Sequence, residues 1–178
     1  MGRRDPIGHA IAEVYALPVR SKLNILLRRS RPTDASALRS ILYDTFESTW
    51  RPNITPAAAR AFYEEERPSR YIAKRGNVFW VAECDANVVG FIDWDGDFIN
   101  ALHVRGSHAR CGLGRRLLGH AEKEIRKAGL PCVRLETDTF NAASQSFYAG
   151  LGYQEADRYP DTEWSSDLTT ILFIKSLT

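Results

Sequence analysis

Phe98-Ile99-Asn100-Ala101-Leu102-His103-Val104, followed after four residues by Ala109-Arg110-Cys111-Gly112-Leu113-Gly114-Arg115, joins a strand pattern to a helix pattern through a glycine turn. The first part is an apolar, β-prone run that follows the turn formers Asp95-Gly96-Asp97, and it predicts a strand. Beyond the glycines, Leu113, Leu117, Leu118, Ala121, Ile125 and Ala128 recur every three to four residues until Gly129 and Pro131 close the pattern, which predicts an amphipathic helix. A strand that passes through a glycine turn into a helix offers unpaired amide groups and a positive dipole end to an anion. Glycine there also lets phosphate oxygens approach the backbone. The plainer alternative is that Gly112 and Gly114 only shape a tight turn. A dinucleotide fingerprint needs a third glycine where Leu117 stands, and a nucleotide P-loop needs Gly-Lys-Ser/Thr, so neither nucleotide motif fits.

Towards the N-terminus, Val78 to Cys84 and Val88 to Trp94 are β-rich runs joined through Asp85-Ala86-Asn87, a hairpin signal, so the three central strands are expected to be antiparallel. Leu23 to Arg29 predicts an earlier strand. Arg31-Pro32-Thr33-Asp34 then opens a helix capped near Thr33, with Ala35, Leu38, Ile41, Leu42 and Phe46 at helical spacing. Thr55-Pro56 supplies an N-cap and a first-turn proline for a second helix, which Pro68 keeps from running far past Glu66. Towards the C-terminus, Cys132 to Thr137 predicts a strand buried on both faces, Asn141 to Leu151 a helix and Leu168 to Ile174 a closing strand. The economical architecture is α+β, with one mixed sheet carrying helices on its faces.

A chain of 178 residues suits one domain with a core that needs no disulfide or metal staple. With 44% hydrophobic and 26% charged residues and no apolar run near membrane-spanning length, it reads as soluble, with no membrane partner. The balance of 24 Lys and Arg against 22 Asp and Glu is too even to predict nucleic-acid binding, so a phosphate-binding patch must be local. Cys84, Cys111 and Cys132 are odd in number and form no C-x-x-C pattern, which argues against a disulfide framework or a zinc site and for a cytoplasmic location. His9, His108 and His120 lack partners at metal-ligand spacing, so no metal is expected. Residues 1–22 read as an N-terminal extension that is not a signal peptide, since Glu13 and Pro18 break its short apolar stretch. A short helix, a packing or dimer element and a disordered leader all stay open for it. The domain itself is placed at residues 23–178.

A second block, Asn141-Ala142-Ala143-Ser144-Gln145-Ser146-Phe147-Tyr148-Ala149-Gly150-Leu151-Gly152-Tyr153, makes the reading specific. Together the two blocks resemble the GCN5-related N-acetyltransferase (GNAT) family. Its phosphate turn reads Gln/Arg-x-x-Gly-x-Gly/Ala after a strand ending Leu-x-Val, and its later helix reads Asn-x-x-Ala/Ser-x-x-Phe/Leu-Tyr-x-x-x-Gly-Phe/Tyr. Leu102-His103-Val104, the turn from Ala109 to Gly114, and the later block match these patterns. Two departures stand out: Ala109 replaces the Gln or Arg, and Gly106 stands where proline is usual. A turn that grips pyrophosphate mainly through main-chain N–H groups tolerates the loss of one side chain.

The resemblance implies a mostly antiparallel sheet whose splayed strand pair forms an acyl-CoA wedge, and transfer of an acetyl group from acetyl-CoA to a primary amine on a small molecule or peptide. It implies cofactor contacts from Leu102, His103 and Val104, from Ala109, Arg110, Cys111, Gly112, Leu113, Gly114 and Arg115, and from Asn141, Ser144 and Tyr148. It also implies that the Tyr148 phenol protonates the departing CoA thiolate, and it suggests a homodimer. The alternative is a non-catalytic acyl-CoA-binding module on the same fold. No carboxylate sits at the family's usual position for a base, near Phe98. Alternation puts Asn100 and Leu102 on one face of the strand and Ile99, Ala101 and His103 on the other, so Asn100 is placed to hold a water and His103 points elsewhere, unless a bulge reverses the assignment. Asp93, Asp95 and Asp97 are further candidates, although Asp beside a glycine turn is commonly a turn former. Trp50, Trp80, Trp94 and Trp164 are candidates for an acceptor pocket or for the core. Glu64, Glu65 and Glu66 read as a solvated face.

Overall fold

The computed structural model describes residues 24–178, so the extension expected over residues 1–22 lies outside the described residues. The chain opens with strand β1 (Ile25–Arg29) and helices α1 (Ala35–Thr45), α2 (Pro56–Glu64) and α3 (Arg67–Arg75). It continues through β2 (Trp80–Cys84), β3 (Asn87–Asp95) and β4 (Phe98–Val104) into helix α4 (Leu113–Lys127). Strand β5 (Cys132–Asp138), helix α5 (Ala142–Ala149) and strands β6 (Gln154–Pro160) and β7 (Thr169–Ser176) complete it. The strands form one seven-stranded sheet in the order β1-β2-β3-β4-β5-β7-β6. All neighbours are antiparallel except β4 and β5, so the sheet is mixed and the fold α+β, as the sequence predicts.

Each helix covers the face that its apolar stripe selects. Leu113, Leu117, Leu118, Ala121 and Ile125 of α4 are buried against Ile92, Ile99, Val133 and Leu135, and full burial of one such side chain contributes about 1.5–3 kcal/mol. On the opposite face Leu38 and Ile41 of α1 pack with Phe79, Val81, Phe91 and Ala101. Asp85 and Ala86 both take positive φ between the paired Cys84 and Asn87, a turn whose twist matches the hairpin. No helix among the described residues is long and apolar enough to cross a membrane.

Three elements differ from the sequence expectation. Pro68 does more than stop the second helix: Glu66 takes a left-handed conformation, and Arg67-Pro68 starts a third helix in whose first turn the missing N–H costs nothing. Strand β6 is exposed along almost its whole length, so it carries no alternating apolar signal, and its pairing with β7 holds it in place. Strand β5 buries Val133 and Leu135 on the α4 face alone, while Glu136 stays exposed and Arg134 pairs with Asp97.

Candidate active site

The chemistry begins with a one-residue irregularity in β4. Asp93 pairs with Ala101 and Trp94 with Ile99, leaving Asn100 as the extra residue of a β-bulge. Ile99 and Leu102 consequently pack on the α4 face, while Ala101 and His103 turn towards α1. The simple alternation for β4 is therefore corrected, and His103 is brought into the site. Asp93 pins the bulge. Its fully buried carboxylate accepts from Arg75 Nε at 2.6 Å and Nη2 at 2.8 Å, from Tyr71 Oη at 2.6 Å and from Asn100 Nδ2 at 3.3 Å. A charge at that depth persists only when paired and hydrogen-bonded, so Asp93 is structural. Asp97 is clasped by Arg134 at 2.8 and 2.7 Å, which holds its carboxyl below the usual range, and Asp95 is exposed.

Beyond that bulge β4 parts from β5. Their parallel ladder contains only Phe98 with Arg134 and Ile99 with Leu135, although β4 runs on to Val104 and β5 to Asp138. The gap is a cavity of about 200 Å³ that brings together Leu102, His103, Asn141, Ser144 and Tyr148 from the two sequence blocks. Val104 packs against the α4 core. Asn141 Oδ1 caps α5 by accepting from Ser144 N at 3.1 Å, which explains an asparagine at the helix start. Tyr148, 8% exposed, makes no side-chain hydrogen bond among the described residues, and burial pushes its phenol up to about 12, so it carries its proton at neutral pH.

The turn from Ala109 to Arg115 does not line this cavity; at Gly114 it meets α5, the helix that carries Tyr148. Gly112 sits at φ 80° and Arg110 at φ 60°, in the left-handed region. Gly114 serves packing instead: a Cβ there would lie 3.3 Å from Phe147 Cζ on α5. The first α4 bond runs from Arg116 N to Gly112 O, so the N–H groups of Leu113, Gly114 and Arg115 precede the helical ladder. Arg110 and Arg115 are exposed and make no ion pair among the described residues, whereas Arg116 Nη2 is engaged with Ile25 O at 3.1 Å. An exposed helix start with free amides and two uncommitted guanidinium groups fits a multiply charged phosphate ligand.

A second cavity, about 260 Å³, opens on the other side of β4. Phe46 and Phe62 stack with ring centroids 3.6 Å apart, and Trp164 lies 5.7 Å from Phe46. Trp50, Trp164, Ala101 and His103 line both cavities, so the two meet at β4. Trp50 Nε1 donates to Asp138 Oδ2 at 3.1 Å, burial pushes the Asp138 carboxyl up, and the exposed Glu163 also lines both cavities. Trp80 and Trp94 instead flank His120, at 3.9 and 6.1 Å. Sequence reasoning missed Asp138 and Glu163 altogether. The one available signal was a carboxylate at the end of an otherwise buried strand. Among the described residues no cluster of His, Cys, Asp or Glu could hold a metal ion.

The profile of the Acetyltransferase (GNAT) family matches residues 37–153. A blasticidin-S acetyltransferase from Streptomyces morookaense is 28% identical over 95 residues, covering 53% of this chain and 68% of that one. The [ribosomal protein bS18]-alanine N-acetyltransferase of Escherichia coli K12 is 39% identical over 70 residues, which is 37% of this chain and 47%, about half, of the relative. Among solved structures, the PaiA N-acetyltransferase of Thermoplasma acidophilum, in complex with coenzyme A, shares the fold with a TM-score of 0.69 at 20% identity, over 86% of this chain and 99% of that one. With the family profile covering well over half of the chain across β4, the glycine turn and α5, the protein belongs to the GNAT family of acetyltransferases.

Proposed function

We propose that this protein transfers the acetyl group of acetyl-CoA to a primary amine by direct attack on the thioester. The observation that carries the reading is the parting of β4 from β5, which opens one cavity against α5, the helix that Gly114 of the glycine turn meets, and joins it to an aromatic cavity at His103. The amides from Arg110 to Arg115 hold the pyrophosphate, with Ala109 and Cys111 shaping the turn, and the unpaired edge of β4 from Leu102 to Val104 pairs with the pantetheine arm like an added strand. A backbone N–H on that edge stabilises the oxyanion. Asn141 and Ser144 fix the cofactor wall, and Tyr148 donates its proton to the CoA sulfur as it leaves. The amine enters from the aromatic cavity, whose stacked rings favour a small acceptor with a flat or apolar body and whose Glu163 favours a cationic one. The relatives named for blasticidin S and for the alanine of ribosomal protein bS18 differ in acceptor, which is consistent with the cavity rather than the family setting that choice. Three free cysteines suit a reducing cytoplasm.

The test is release of CoA thiol from acetyl-CoA across a panel of primary amines, with Tyr148→Phe alongside. Amine-dependent release that the substitution suppresses is the expected result. CoA binding without release for any amine points to the non-catalytic acyl-CoA-binding alternative.

A further inference from the structure

His103 stands where the two cavities meet, and its hydrogen bonds decide which ring nitrogen is available. Nδ1 lies 2.9 Å from Thr45 Oγ1. That hydroxyl has a single proton, and its oxygen lies 3.0 Å and 3.2 Å from the carbonyl oxygens of Ile41 and Leu42, the position of a threonine that donates back to its own helix. With the hydroxyl proton directed there, Thr45 accepts from His103, and the ring proton resides on Nδ1. Nε2 then carries a lone pair. It makes no hydrogen bond among the described residues and is not among the buried, unpartnered atoms, so it retains accessible surface in a ring that lines both cavities. Thr45, Trp50 and Phe91, which lie against the ring, are all non-ionisable. The charged groups sharing the cavities are Arg67, Glu136, Asp138, Asp161 and Glu163. Of these, Asp138 is committed to Trp50 and Glu136 to Tyr159, while the Glu163 side chain is 68% exposed.

Resting on the acetyl-transfer reading above, we infer that His103 Nε2 accepts the proton that the attacking amine gives up. The amine lone pair forms the C–N bond to the thioester carbonyl carbon and the C–S bond breaks. One N–H proton passes to Nε2, and the sulfur takes its proton from Tyr148. Solvent then removes the proton from the imidazolium and reprotonates Tyr148, so the cycle closes. A nitrogen bonded to the acyl carbon carries positive charge and is a far stronger acid than a free ammonium, so an imidazole kept neutral by apolar neighbours suffices as the acceptor.

The experiment uses the full chain, acetyl-CoA and the best amine of the panel. His103→Asn retains a polar group facing Thr45 and removes Nε2. Turnover is expected to fall about 100-fold or more with acetyl-CoA affinity within about threefold, and added imidazole to restore turnover in His103→Ala. Thr45→Val, which frees the tautomer, is expected to cost less. Should His103→Asn lose acetyl-CoA binding, His103→Gln decides: impaired turnover with binding intact supports the inference, and near-normal turnover overturns it. His103→Asn turning over within threefold of the unsubstituted protein overturns the His103 assignment and leaves acetyl transfer standing. An equal or larger loss in Asp138→Asn, without imidazole rescue of His103→Ala, moves the role to Asp138. An unsubstituted protein that acetylates no amine overturns both readings.

Discussion

The two cavities that meet at β4 are built from different material. On the β5 side the parts proposed to grip the cofactor are mainly backbone: amides at a helix start, a strand edge left unpaired, and glycines placed for a positive φ at Gly112 and for contact with Phe147 at Gly114. On the α1 side they are side chains from distant segments, Thr45, Phe46 and Trp50 near the first helix, Phe62 on the second and Trp164 on the loop before β7. Backbone chemistry at a fixed spacing leaves a motif. Side-chain chemistry gathered by folding leaves composition, and composition can vary without disturbing the other half. The contrast teaches that cofactor recognition and acceptor recognition should respond to different substitutions.

The largest test of that separation is Tyr148→Phe, which should lower turnover by about 10²–10⁴-fold while acetyl-CoA affinity stays within about threefold, read by steady-state kinetics and a binding titration. Next is acid. Burial holds His103 down to about 4 from its ordinary 6.5, so between those values the unfolded chain binds the extra proton and the folded chain does not. Stability is therefore unaffected above about pH 6.5 and falls as pH drops towards 4, by about 3 kcal/mol from this one group. His120, also lowered by burial, acts in the same direction. Urea midpoints at neutral pH and near pH 4.5 should show the loss, with His103→Asn retaining more of its neutral-pH stability. Gly112→Val follows, since a β-branched residue in the left-handed region costs about 1–2 kcal/mol. That corresponds to roughly a tenfold weaker grip on CoA, with the acceptor KM unchanged. The smallest effect belongs to the opposite side: Phe62→Leu should raise the acceptor KM several-fold through the loss of about 1 kcal/mol of aromatic contact, and leave CoA affinity alone. If Phe62→Leu weakened CoA as much as acceptor, or Gly112→Val both equally, the two halves would be one unit.

Much of the fold was legible because its elements carry periodic signals: the α4 stripe from Leu113 to Ile125, the hairpin through Asp85-Ala86, and the capping asparagine at 141. Strand β6 was not, since an edge strand exposed on nearly every residue needs no apolar alternation. Helix α3 hid behind Pro68, a residue that both ends helices and begins them. At the site, the two motif blocks pointed to the cleft residues from Leu102 to Tyr148. On the acceptor side Trp50 and Trp164 stood among the candidates, but Asp138 did not, because it and Trp50 become neighbours across 88 positions of chain, and His103 was assigned to the wrong side because alternation cannot register an extra residue.

That extra residue makes the reading of β4 a matter of parity. Every side chain from Ala101 to Val104 owes its orientation to an odd count at Asn100. Taking Asn100 into the ladder, so that the bulge flattens while the count stays, would swing His103 towards α4 and turn Leu102 into the aromatic cavity, while all the chemical groups remained in the sequence. Substituting Asn100 leaves the count intact. Deleting Asn100 would instead keep the faces, because Ile99 and Ala101 already alternate, and would remove only the bulge and its hydrogen bond to Asp93, so homologous chains that lack the residue should be expected to keep their chemistry on the same faces.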